Sequence, residues 1–242
     1  MEISSSGSSV ITSSTTTYNP FNYKRPDLGT WTYILITQTN VSINITIPAN
    51  SIDTLNVVLI ANGGNGGSNW YIPTPIEKPI PNINLAFGGG GGGGAVLVSS
   101  YDTSTGGSFI VTLGDIGSNN STSIEYNYNS VSGTCFICSG NVGSNGDKGN
   151  VPPGGDGGDG GDSGTQSNIY GGAGGNGGLA PGPMDTGSPG KSYNGASSAG
   201  IGNQRPAYTP ITMADGTSAH VGYAGQQNEG GNCAQLLLYY QT

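Results

Sequence analysis

The chain has 242 residues, 46 of them glycine, with 33% hydrophobic and only 8% charged residues. Fourteen acidic against six basic residues give a formal charge of −8, which opposes binding to nucleic acid or to an anionic membrane surface. So much glycine suggests low complexity, but the hydrophobic residues gather away from the glycine runs, so a folded core is expected.

Residues 1–17 are almost entirely Ser, Thr and Gly, which bury little, and they read as an arm that stays mobile unless a partner orders it. YNPFNYKRPDLG, Tyr18 to Gly29, follows as a turn-rich linker. The amino end has neither a basic nor an apolar leader region, and no segment reaches the roughly 20 apolar residues of a membrane span. No secretion or anchoring signal is therefore expected.

Strands come next. WTYILI (Trp31 to Ile36) and VSINITI (Val41 to Ile47) are rich in β-branched residues, and the second alternates strictly, which puts Val41, Ile43, Ile45 and Ile47 on one core face. TLNVVLIA (Thr54 to Ala61) is a continuous apolar run, the mark of a strand buried on both faces. The segment Trp70 to Pro81 carries four prolines and is expected to be an exposed loop. Ala95 to Ser100, Ser108 to Gly114, Ser121 to Tyr126, Thr134 to Ser139 and Ala234 to Tyr240 continue the strand series, spaced by turn sequences.

The centre of the pattern is FGGGGGGGAVLVSS, Phe87 to Ser100, seven glycines leading into an apolar segment. A glycine run has no side chain to bury and much backbone entropy to lose, so it orders only where other backbones bond it. The form expected is polyproline II, whose outward amides need neighbouring chains. Gly63 and Gly64, Gly88, Gly91 and Gly94, Gly154, Gly157 and Gly160, and Gly171, Gly174 and Gly177 mark tracts that can pack side by side in this way. As one loop, residues 141–231 would be implausibly long in a compact domain, but a bundle of such helices accounts for the length.

The expected architecture is all-β: a jelly-roll-like β-sandwich carrying a bundle of polyglycine helices in long glycine-rich insertions. Residues 1–29 form the arm and linker, and 30–242 a single domain with core segments 30–62, 86–140 and 232–242 and insertions 63–85 and 141–231.

An apolar strand ending in GGNGG, then FGGGGGGGA and a strand, SFIVTLGDIGSNNSTSIEY, long glycine tracts and a closing apolar strand together resemble the glycine-rich domain of phage and large-DNA-virus virion proteins. The likeness spans about Thr54 to Thr242. LNVVLIANGGNGGSN, Leu55 to Asn69, with the poly-glycine run, is also similar to the adhesins of T-even-type phage tail fibres, which implies a sandwich of polyglycine helices whose loops touch a host receptor. A looser similarity is to the glycine-rich extracellular module of a small receptor tyrosine kinase family, which would need a signal peptide and disulfides that are not expected here.

No catalytic constellation is expected. GDSG at Gly161 to Gly164 ends the run GGDGGDGGD, and the sole histidine, His220, offers it no triad. Asp156, Asp159 and Asp162 would line one edge of a threefold helix at about 9 Å intervals, too far apart to share a cation, so they read as a solvated acidic edge. Cys135 and Cys138 lie in strand-forming TCFICS, and residues three apart on a strand face opposite ways. They read, with Cys233, as core thiols, so neither metal nor cofactor is expected. Trp70, Tyr71, Tyr170, Tyr193 and Tyr208 sit in expected loops, either as anchors of a recognition surface or as covers for the ends of the glycine bundle.

The function expected is that of a non-enzymatic structural component of a virus particle, a minor capsid or surface-fibre protein located in the virion. Its partners would be other virion proteins, met through the arm and the sheet edges, and homo-oligomers are compatible with this. The alternative is a host-receptor-binding adhesin that contacts a surface glycan or protein.

Overall fold

A computed structural model of the protein describes residues 1–6, 10–16, 30–37, 41–62, 70–71, 85–86, 94–114, 122–137, 169–170, 179–180, 211–212, 215, 218–219 and 234–242. Among the described residues every regular element is a strand, and every pairing is antiparallel, as the all-β expectation requires. In chain order they are β1 (Glu2–Ser6), β2 (Val10–Thr16), β3 (Trp31–Thr37), β4 (Val41–Ile47), β5 (Thr54–Ile60), β6 (Trp70–Tyr71), β7 (Leu85–Ala86) and β8 (Val96–Asp102). Then follow β9 (Gly107–Leu113), β10 (Thr122–Tyr128), β11 (Val131–Ile137), β12 (Ile169–Tyr170), β13 (Leu179–Ala180), β14 (Ile211–Thr212), β15 (Ser218–Ala219) and β16 (Gln235–Gln241).

Two sheets dominate. One has five strands in the order β1-β4-β9-β10-β11, the other six in the order β12-β8-β5-β16-β3-β2, and β13-β7-β6 and β14-β15 make two small ones. The inward residues of both large sheets join one buried cluster: Ile43, Ile45 and Ile47 of β4 and Phe109, Val111 and Leu113 of β9 meet Leu55, Val57 and Leu59 of β5 and Leu236 and Leu238 of β16. Each such side chain contributes about 1.5–3 kcal/mol by leaving water. Ile43, Ile45 and Ile47 thus face the core as expected, while the Val41 side chain lies outside the described ones.

The six-stranded sheet is dry on its other face too. Val58, Val96, Leu237 and Tyr239 have no exposed surface, and with Tyr33 and Ile60 they form a second cluster. This is why TLNVVLIA reads as a continuous apolar run rather than an alternating one.

Three local readings differ from expectation. Glu2–Ser6 and Val10–Thr16, which composition places in an arm, are strands: β1 pairs with β4 and β2 with β3, so each covers an edge of a different sheet. Edge pairing uses main-chain groups, which Ser and Thr supply as well as any residue, and Met1 and Ile3 pack against the core. Trp70–Tyr71, expected in a loop, opens that segment as β6, paired with β7. The last two strands of the five-stranded sheet end and begin closer together than predicted, through a two-residue turn at Asn129 and Ser130, both with positive φ (45° and 60°). That backbone matches the twist of a tight hairpin. Gly133, which looks like a breaker, lies opposite Tyr126, whose ring covers it: a Cβ there would stand 2.6 Å from the phenol oxygen.

The strand registers put the departure and return points of the long segments 63–93 and 138–233 at one end of the two sheets, beside Ile60, Val96, Ile137 and Gln235. Gly94 returns there against the Ala61 carbonyl, so close that an added Cβ would overlap it, and Ala61 donates its amide to Ala95 O at 2.8 Å. Asn62 is fully buried, and its Oδ1 accepts the amide of Ala234.

Candidate functional site

Of the glycines singled out from sequence, Gly94 is placed as described above. Gly63, Gly64, Gly88, Gly91, Gly154, Gly157, Gly160, Gly171, Gly174 and Gly177 lie outside the described residues, as do Tyr193, Tyr208, His220, Cys138, Cys233 and the acidic repeat. Trp70 and Tyr71 lie on β6 and Tyr170 on β12, in separate sheets. Cys135 faces the core and is 5% exposed. Among the described residues no three His, Cys, Asp or Glu side chains gather into a group that could hold a metal ion.

The described residues do build a groove, at the end of the sheets opposite the glycine-rich departures. It is about 820 Å³ in volume and spans the outward face of β3, β5, β8 and β16, with the turn between β4 and β5 as one wall. The outward positions change character along this face. Near the glycine-rich end they are Val96, Val98, Val58 and Leu237, while near the groove they are Ser100, Asn56, Thr54 and Gln241, with Trp31 beside them.

The wall is held firmly. Pro48 ends β4, and the Ser51 hydroxyl and amide both donate to its carbonyl, at 2.6 and 3.3 Å. Asn50 takes a positive φ of 58°. Buried Thr103 clamps the turn, its hydroxyl donating to Ile52 O at 2.7 Å and its amide to Asp53 O at 2.8 Å, while the Asn50 amide donates to Ser104 O at 2.9 Å. Gly106, at φ 90°, lets the next loop pass beneath, where a Cβ would press on Ile47 O at 3.0 Å. On this loop the Ser104 hydroxyl and amide donate to Asp102, which holds that exposed carboxyl below its ordinary pKa.

Inside the groove, Ser100 Oγ donates to Asn56 Oδ1 at 2.6 Å, and Asn56 is 3% exposed. The Trp31 ring lies 5.7 Å from Tyr239, and its Nε1 is buried with no acceptor. Farther along the same face, Tyr33 donates its hydroxyl to buried Asp215. Beneath, between the sheets, Tyr101 packs against Phe109, Tyr126 and Tyr128 with ring centroids 5.1 to 5.4 Å away. Burial pushes its phenol well above the ordinary value, against a smaller opposing effect of its hydrogen bond with Ser99.

Sequence reasoning placed Trp31 in a strand and gave residues 48–53 no role, and so missed this groove. The available signal was Asn56, a carboxamide inside an otherwise apolar run, which must find a partner when buried.

No protein-family model, no curated protein and no solved structure matches the chain.

Proposed function

We propose that the chain is a non-enzymatic structural component of a virus particle, a minor capsid or surface-fibre protein, in which a jelly-roll-like β-sandwich carries a bundle of polyglycine helices. The observation that carries this reading is the second dry face of the six-stranded sheet. Val58, Val96, Leu237 and Tyr239 face away from the other large sheet and yet are fully enclosed, so a further layer must cover them. The proposed layer is the glycine-rich segment 141–231, tethered by the pairing of β12 with β8 and by the bond from Tyr33 to Asp215. Backbone without side chains can stack at close spacing and satisfy its amides laterally. Such a body is rigid and suits a particle component. The order of glycine-rich pieces along the sequence supports the same assignment.

Neighbouring virion proteins would dock on the outer edge of β11, where Val131 and Phe136 are exposed large hydrophobics. Purified particles should contain the chain in fixed stoichiometry. Its presence in infected cells but never in particles would overturn the assignment. Amide exchange over residues 143–178 in the assembled material should be far slower than in a random peptide, and exchange at the random-peptide rate would remove the proposed glycine layer.

A further inference from the structure

The groove beside Trp31 lies at the end remote from every glycine-rich departure, and a purely structural role gives it nothing to do. Its size falls within the range of small-molecule sites. Three carboxamides, from Asn50, Asn56 and Gln241, line it with the Asp53 carboxylate, the Ser100 hydroxyl and one indole.

This composition selects a ligand class. Among the described residues no Lys, Arg or His side chain lines the groove, and the protein's formal charge is −8, which disfavours an anion. A lipid or other apolar ligand would leave the carboxamides and the carboxylate buried without partners. A molecule with closely spaced hydroxyls on one side and a C–H face on the other satisfies both the polar wall and the ring. One donor already lacks an acceptor: Trp31 Nε1 is buried with nothing to bond. Buried donors are normally satisfied. Around it the wall is held by Thr103 and the ring rests against Tyr239, so the site is preorganised.

We infer that this groove binds a neutral glycan, with one sugar ring against Trp31 and its hydroxyls shared among Asn56, Ser100 and Asp53. The inference goes beyond the particle assignment and does not depend on it: a chain absent from particles could still hold sugar, and a particle protein could fail to.

The test is saturation-transfer NMR on the full chain with maltose, lactose, α-1,2-mannobiose and chitobiose, each at about 10 mM because single sugar sites are weak, with digalacturonate as an anionic probe. Transfer to at least one neutral disaccharide and none to digalacturonate is expected. Asp53→Ala, at an exposed position, should weaken binding about tenfold with unchanged melting, since a charge-assisted hydrogen bond is lost. Trp31→Phe keeps a ring and removes the N–H, and should weaken binding several-fold. Should that variant not fold, Ser100→Ala takes its place, with the same expected loss. Silence from all four neutral sugars, preference for digalacturonate, or undiminished affinity in both Asp53→Ala and Ser100→Ala would overturn the inference.

Discussion

The Tyr33 hydroxyl donates to Asp215 Oδ2 at 2.9 Å, and the two residues stand 182 positions apart. Tyr33 belongs to the outward face of the six-stranded sheet, whereas Asp215 lies between β14 and β15. The bond therefore ties the distant glycine-rich part of the chain to the sheet. Tyr33→Phe preserves the stacked ring contact with Tyr239 at 6.0 Å and removes only the donor. A buried carboxylate that loses a hydrogen bond costs about 1.5–3 kcal/mol. Urea unfolding of Tyr33→Phe, Asp215→Ala and the double variant should give a coupling of at least about 1 kcal/mol, and zero coupling would show that the bond contributes nothing.

Gly94 and Gly133 both face crowded space, but what crowds them differs. A Cβ on Gly94 would overlap the Ala61 carbonyl and lie 2.5 Å from Asn62 O, both main chain, whereas on Gly133 it would meet the end of the Tyr126 side chain. Backbone cannot step aside as a side chain can. Gly94→Ala is expected to cost more than about 2 kcal/mol and Gly133→Ala about 1 kcal/mol. Thermal melting of the two variants, side by side, checks the order.

Tyr101 sets an alkaline limit on stability. Its phenol titrates higher in the folded protein than in the unfolded chain, mainly because burial penalises the phenolate. Its contribution is therefore complete below the unfolded value near pH 10 and is lost as pH rises from there toward the folded value. Within that window, stability should fall by about 1.4 kcal/mol per pH unit from this group alone. Urea midpoints measured at about pH 9 and about pH 11 should show a smaller drop in Tyr101→Phe than in the parent, and equal drops would refute the assignment.

Asn62 holds the entry to the last strand. Asn62→Ala leaves the buried Ala234 amide without its acceptor, at a cost of about 1–3 kcal/mol. Hydrogen exchange at the Ala234 amide should speed up by more than the global loss of stability explains.

What was legible in the sequence was whatever periodicity encodes. VSINITI alternates because one face of β4 is buried, and TLNVVLIA does not because both faces of β5 are. The amino-terminal strands were illegible because their pairing is carried by main chain; among the described side chains there, Met1 and Ile3 pack against the core. The hairpin at Asn129 and Ser130 was misplaced because Gly133 signals a break until Tyr126 is seen across from it. Of the groove, only Asn56 left a trace, since Trp31 was legible only as the start of a strand. The role of Asp215 depends on a partner 182 residues away, which no local pattern announces.

The place of β16 between β3 and β5 has a consequence for how the chain is made. Those two strands, rich in Ile, Leu and Val, leave the ribosome with their facing edges open, and the strip that closes them is synthesised about 180 to 200 residues later. Throughout that interval the nascent polypeptide presents two sticky margins to any extended neighbour. A chaperone that shields Trp31–Thr37 and Thr54–Ile60 until translation passes Gln241 would raise the yield of native protein, and a product stopped short of Ala234 would aggregate.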